Sequence, residues 1–352
     1  MQLKPKLRFA EYIDNWQEKV LVDCLDYERP DKYIVVSNQY NEQYNIPVLT
    51  ANKGFVLGYT SETDGIYDKG DCIIFDDFTM DCKFVNFPYK IKSSAIKILT
   101  AKNDCNLRFL YEKLKLLNLK PVTHQRHYIS YVQEMIISIP TLPEQTRIAT
   151  MLNLHYKKCQ LQKEKVERLG RAKDKITKVI YDNQNGETYK LGEICKITKG
   201  KQLSRIDMIN DGEYKVYNGG IMHSGYTNNY NAYAKTITIS EGGNSCGYVN
   251  YVQEKFWSGG HNYTINNPKM NPELLYYFLK LKEQEIMQLR IGSGLPNIQK
   301  KSLEKFEINV NSETQYQNLK ILSLINQKLN LETKRLEELQ KYKQGLLQKM
   351  FV

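Results

Sequence analysis

The residues that could do chemistry in this chain of 352 residues are few, and their spacing suits chemistry poorly. Seven cysteines, Cys24, Cys72, Cys82, Cys105, Cys159, Cys195 and Cys246, are odd in number, scattered and never set as C-x-x-C. That pattern argues against a disulfide framework and a structural zinc site, and for reduced thiols in a cytosol. His124 and His127 stand three apart with no cysteine or third histidine nearby, a poor metal pair. Neither an H-E-x-x-H pair nor a G-x-x-x-x-G-K-[ST] phosphate loop occurs. Gly242, Gly243 and Gly247 are followed by Tyr248-Val249-Asn250, with no lysine to reach a phosphate. Asn86-Phe87-Pro88-Tyr89 approaches a box in which an amide and a carbonyl grip the amino group of a flipped base while a ring stacks on it. Phe87 departs from that box, no Gly-rich cofactor loop precedes it, and the run Phe84–Ile91 fits a strand with Pro at its edge. Pro30-Asp31 and Glu332-Thr333-Lys334 could be forced into a nuclease pattern, but the second element lies inside a regular helical heptad. No catalytic or metal constellation emerges.

Charge points elsewhere. Lys plus Arg number 50 against 39 Asp plus Glu, a formal net charge of +11. Such a balance favours a polyanionic partner, nucleic acid first and an anionic membrane surface second. No run approaches the ~18 apolar residues of a membrane span. Met1 to Arg8 has no apolar stretch after its charges, so it does not read as a secretory signal.

The elements that must position any binding residue occur twice. Glu144 to about Asp182 and Glu313 to about Phe351 both have helical periodicity, and their heptads coincide at an offset of 170. The second heptad has Leu322, Leu329, Leu336, Lys343 and Met350 at a, with Ile325, Glu332, Leu339 and Leu346 at d. The first has Leu152, Cys159, Val166, Lys173 and Ile180 at a, with His155, Gln162, Leu169 and Ile176 at d. Polar interruptions fall together, Lys173 with Lys343 and Gln162 with Glu332. A heptad sustained this long argues for coiled-coil packing, with both lysines reaching solvent or an acidic partner from the seam. Ahead of the helices, Gly58-Tyr59-Thr60 matches Gly225-Tyr226-Thr227 and Ile96-Lys97-Ile98 matches Tyr263-Thr264-Ile265. Phe109-Leu110-Tyr111 lies near Leu274-Leu275-Tyr276-Tyr277, and Gln133–Ile136 matches Leu303–Phe306. Each half therefore reads as a mixed α/β globule followed by a long helix. The expected fold class is α+β: two similar domains, 1–143 and 183–312, related by pseudo-twofold symmetry and separated by antiparallel coiled-coil helices at 144–182 and 313–352. If such a chain binds DNA, each half should contact one half-site, the helices setting the distance between them.

Over nearly its whole length the chain resembles the specificity subunit of type I restriction–modification systems. Pro5-Lys6-Leu7-Arg8-Phe9 with Asn15-Trp16 is similar to the family's opening, with Ala10 where proline is usual. Tyr67, then Gly70 to Phe78, resembles a first-domain core strand, and Ser93-Ser94-Ala95 follows in the usual order. Ile139-Pro140-Thr141-Leu142-Pro143-Glu144-Gln145-Thr146-Arg147-Ile148-Ala149 is close to the entry into the first long helix. Gly292-Ser293-Gly294-Leu295-Pro296-Asn297-Ile298 resembles a late loop of the second domain, and Leu339 to Phe351 resembles the closing helix. The first domain has Gln125-Arg126-His127-Tyr128-Ile129 in place of a Pro-Asn-Ile loop. The resemblance implies two target-recognition domains that read a bipartite, interrupted site in double-stranded DNA. It implies no catalysis and no cofactor in this chain. Two partner modification subunits would carry S-adenosylmethionine and methylate adenine, and restriction subunits would translocate and cleave with ATP, all in the cytoplasm and away from membranes.

Sequence reading needs side chains at base edges, and affinity needs phosphate contacts. In the second domain the candidates are Lys199, Lys201 and Arg205 on a basic, Gly-punctuated loop. With them stand Asn218 beside Gly219-Gly220 (a close approach to a partner or a tight turn), Tyr226, Ser293 and Asn297. In the first they are Lys53, Tyr59, Arg126, His127 and Tyr128. Tyr59 and Tyr226 are equally well explained as core tyrosines. The competing classes are an autonomous, non-catalytic DNA-binding or architectural protein, and a helical scaffold that binds only proteins; a salt titration separates the latter from the DNA binders.

Overall fold

The computed structural model describes residues 4–51, 54–121, 126–182, 186–292, 294, 296–310 and 315–351, without the side chains of Arg205 and Gln315. Contacts divide the chain into two units, Met1–Gln162 with Arg335–Val352, and Lys163–Lys334. This grouping differs from four successive segments because each long helix is shared: half of each helix packs with each unit's own core.

In the first unit Leu25–Glu28, Ile96–Ala101, Cys72–Asp76 and Cys82–Val85 form, in that order, a four-stranded antiparallel sheet. Ile46–Leu49 pairs antiparallel with Val56–Thr60 and parallel with Lys90–Ile91. Gln17–Val20 and Ile136–Ile139 make a ribbon. All five residues of Cys72–Asp76 are buried, as a strand covered on both faces requires. Ile73 and Phe75 face the cluster of Phe109, Leu110 and Trp16, while Cys72 and Ile74 face Tyr67 and Tyr89.

The second unit repeats this plan. Its sheets run Lys196–Lys199, Asn262–Asn266, Thr236–Ser240, Val249–Val252 and Gly225–Thr227, Tyr214–Tyr217, Phe256–Ser258, with the ribbon Glu187–Lys190 and Glu307–Val310. Even the caps correspond. Asn106 Oδ1 accepts from the Phe109 amide at the start of Leu107–Leu116, and Asn271 Oδ1 accepts from the Glu273 and Leu274 amides at the start of Pro272–Leu281. Each cap satisfies amides that have no partner within their own helix.

Three expectations need correction. The run Phe84–Ile91 is not one strand: Cys82–Val85 and Lys90–Ile91 belong to different sheets, because the chain bends at Phe87. Ile98 does not match Ile265: Leu99 and Ile265 hold the same place, opposite Ile73 and Ile237. In the ribbon, Ile136 matches Glu307, not Phe306. Both slips are of one residue, which in a strand exchanges the two faces.

The long helices are Leu142–Asp182 and Gln315–Met350. None of the heptad a and d residues named above is exposed. In the second unit Lys165 Nζ lies 2.9 Å from Glu332 and Lys173 Nζ donates to Asn326 Oδ1 at 3.0 Å, so the partner's number falls as the first rises and the halves run antiparallel. Lys173 is half-buried, its ammonium is held by an amide oxygen, and it makes no ion pair among the described residues. It lies 5.1 Å from the Tyr277 ring centroid, and burial lowers its pKa from the ordinary value. In the first unit His155 Nε2 bonds the Leu339 carbonyl at 2.8 Å. Leu346 and Met350 enter the core with Ile148, Ala149 and Leu152, and Phe351 stacks on Phe109 at 4.9 Å. The helix entry is held by Arg8, whose guanidinium makes two 2.7 Å hydrogen bonds to the buried Glu144 carboxylate. Gln145 there accepts from the Asn106 amide and donates to the Pro140 carbonyl.

Candidate nucleic-acid interface

In the second unit an acid gathers the candidate loops. Glu241 follows the central strand Thr236–Ser240. Its carboxylate takes Lys199 Nζ at 2.6 Å, the Tyr263 hydroxyl at 3.1 Å and His261 Nδ1 at 3.6 Å. Its amide donates to the His261 carbonyl, and its carbonyl accepts the Ile298 amide at 2.8 Å. The Gly243 amide donates to the Pro296 carbonyl. The loop carrying Asn297 is therefore pinned beside the strand end, with Asn297 exposed. Lys199, Asn218 and Asn297 converge here, since Asn218 Oδ1 accepts from the His261 amide at 3.3 Å.

Glycine has an internal use in this region. Gly219 has φ +84°, and a Cβ there would stand 2.3 Å from the His261 carbonyl oxygen. Asn218-Gly219-Gly220 is thus the tight turn, and its close approach is to its own unit. Lys201 is exposed and makes no ion pair among the described residues, while its carbonyl accepts from Trp257 Nε1 at 2.9 Å. Lys199, by contrast, has its charge offset by Glu241. Tyr226 is half-buried, edge-on to His223, at the strand position that Tyr59 occupies in the first unit.

The first unit seats its loop by the same bond with different residues. The His127 amide donates to the Asp77 carbonyl at 3.1 Å, as Ile298 does to Glu241. The Tyr128 amide donates to Asp77 Oδ1 at 2.8 Å, and Asp77 pairs with buried Lys97 at 3.2 Å. Tyr128 is 1% exposed and packs edge-on to Phe75 and Tyr27; His127 is also buried. Neither is presented to a duplex: Tyr128 belongs to the hydrophobic core, and His127 is buried beside it in the chain. Arg126 is exposed, at the position equivalent to Asn297. Lys53, His124 and Ser293 lie outside the described residues; Arg205 is placed by its backbone alone, in the single turn Arg205–Asp207. Glu241, the hub of the second unit, carried no signal in the sequence, since its partners come from three distant segments. The box Asn86–Tyr89 holds no base-gripping ring: Tyr89 is buried, stacked on Tyr67 at 5.0 Å with its hydroxyl 3.0 Å from Cys72 Sγ.

Among the described residues no group of three His, Cys, Asp or Glu could hold a metal, and no helix is long and apolar enough to cross a membrane. The folding pattern defines the class: a duplicated α+β unit whose two copies share a pair of long helices. The chain belongs to the type I restriction modification DNA specificity domain family, whose model matches it twice, over residues 13–171 and 183–341. Those spans are offset by 170, as the heptads are. The specificity subunit of the Escherichia coli type I restriction enzyme EcoR124I/EcoR124II is 46% identical over 126 residues, covering 34% of this chain and 31% of the relative. A putative type I specificity subunit of Mycoplasma genitalium is 30% identical over 155 residues, 43% of this chain and 40% of its own. The matched stretches thus span well under half of these relatives. The crystal structure of a type I restriction–modification S subunit from M. genitalium shares the fold, with a TM-score of 0.76 at 19% identity over 99% of both chains.

Proposed function

We propose that this chain is a non-catalytic DNA-recognition subunit that reads a bipartite, interrupted site in double-stranded DNA and brings modification and restriction subunits to it in the cytoplasm. The carrying observation is the doubled loop seat: one backbone hydrogen bond at the end of the same strand presents Arg126 from one unit and Asn297 from the other. Arginine and asparagine differ in the bases they pair with, guanine for the first and adenine for the second. Two like units with unlike tips suit two different half-sites. Family membership and the net charge of +11 support the same reading.

Two modification subunits would dock on the outer faces of the helices. Leu154 and Leu161 are 63% exposed in the first helix, and their repeat mates Leu324 and Leu331 are 56% and 48% exposed in the second. A duplicated apolar face suits two copies of one partner. The test is a map of methylated adenines in cells expressing the modification subunits with and without this chain. A bipartite motif should appear only with it; identical maps would refute the reading.

A further inference from the structure

On the second unit a cleft of about 610 Å³ is walled by the loop from Gln202 to Asn210 and the turn from Asn218 to Ser224. Gln202, Asn210 and Asn218 bring three carboxamides to it, and none of its described lining residues is charged. Asn210 spends its amide on no hydrogen bond among the described residues, and Gln202 Nε2 makes only a 3.4 Å contact with the Leu203 carbonyl. The same two segments carry, outside the lining itself, Ile206, 91% exposed, and Met222, 71% exposed.

A carboxamide sets a donor nitrogen beside an acceptor oxygen, which matches the N6 donor and N7 acceptor of adenine; the paired acceptors of guanine suit the donor fork of arginine. An apolar side chain meets the C5 methyl of thymine. In the major groove only an A·T pair presents both features. Exposed Lys201, beside Gln202, supplies charge for the adjoining phosphate.

We propose that this cleft reads one A·T pair in the half-site bound by the second unit, the carboxamides of Gln202 and Asn210 on adenine and Ile206 or Met222 on the thymine methyl. The proposal rests on the reading of the chain as a DNA-recognition subunit. Asn218 is unsuited as a probe because its oxygen holds the His261 amide. Gln202 and Asn210 are exposed, so Gln202→Ala and Asn210→Ala leave the fold intact.

The test is selection of duplexes from a random library by the full chain with its modification subunits. If the wild-type assembly enriches no motif, DNA recognition itself falls, and this proposal with it. If it enriches a bipartite motif, one or both variants should lose about 5- to 150-fold of the preference for A·T at one position of one block, with the other block unchanged. Replacing that adenine by 7-deazaadenine, which lacks the N7 acceptor, should weaken wild-type binding and have little further effect on the affected variant. Variants that retain the full motif, or a wild type indifferent to 7-deazaadenine, would overturn the cleft while leaving DNA recognition standing.

Discussion

Glu332 sits at a d position of the second long helix and is 0% exposed, with Lys165 Nζ at 2.9 Å and Lys328 Nζ at 3.1 Å from its Oε1. Drying a carboxylate costs several kcal/mol, and that cost is recovered only through partners. Here both lysines are half in water, at 48% and 52% exposure, so solvent screens much of what they return. Glu332→Leu removes the desolvation cost and fills a seam position between Leu329 and Leu336 with an apolar side chain; it should leave stability unchanged or raise it by about 1–4 kcal/mol. Removing the cations instead, with Lys165→Ala and Lys328→Ala together, takes both ion-pair partners from the buried carboxylate. That should cost up to about 3 kcal/mol, the low end for a broken buried pair, because the lysines are screened. Urea unfolding of the full chain, with hydrogen exchange across Gln315–Met350 to localise the change, reads both. A loss of more than about 1 kcal/mol in Glu332→Leu would refute the reasoning, since the carboxylate would then be a net contributor.

Leu322→Ala empties a fully buried site in the second unit's core and should cost about 2–5 kcal/mol. Exchange protection should fall there, a prediction that fails if the first unit's amides respond equally. The lowered pKa of Lys173 means that the folded chain sheds this proton before the unfolded chain does, so stability should rise with pH through the lowered value towards 10.5. Lys173→Met should flatten that rise, and a wild-type minus variant difference that stays constant in the alkaline range would contradict it. Lys201→Ala should weaken DNA binding on every sequence alike and reduce the salt slope by about one; a change in motif instead would make it a base contact. Removing one heptad from both helices, Val166–Ala172 and Leu336–Tyr342, deletes ~10 Å of helix. The unspecified spacer of the methylated motif should shorten by about one to two base pairs with both blocks unchanged, and efficient methylation at an unaltered spacer would refute the helices as the ruler.

The long helices were legible because a heptad is a local pattern: apolar positions recur at a fixed interval whatever the neighbours do. The doubling was legible for the same reason, carried by Leu152 with Leu322 and by Gly58-Tyr59-Thr60 with Gly225-Tyr226-Thr227. Strand register was less so. Loops of unequal length separate matching strands, and a slip such as Ile98 for Leu99 looks harmless in a sequence though it exchanges faces. The loop seats were illegible. Asp77 and Glu241 hold them through backbone amides, and a backbone donor looks alike at His127 and Ile298. Tyr128 looks like a surface reader in the sequence because its burial depends on Phe75 and Tyr27, about fifty and a hundred positions earlier. Polar residues placed on surface loops by distant contacts, Asn210 among them, leave no periodic mark.

The second unit, Lys163–Lys334, is one unbroken stretch, whereas the first is completed by Arg335–Val352. On a ribosome adding about 5–20 residues per second, the segment between takes roughly 10–35 s to make. Through that interval Trp16, Phe109 and Leu152 lack the Leu346, Met350 and Phe351 that cover them in the finished core. The half begun first is therefore closed last. A nascent chain passes through a stage in which a finished second unit trails an N-terminal half with its apolar surface open, which is when binding by a chaperone would matter most. A stop codon after Lys334 would leave the second unit's residues complete and deprive the first of its lid.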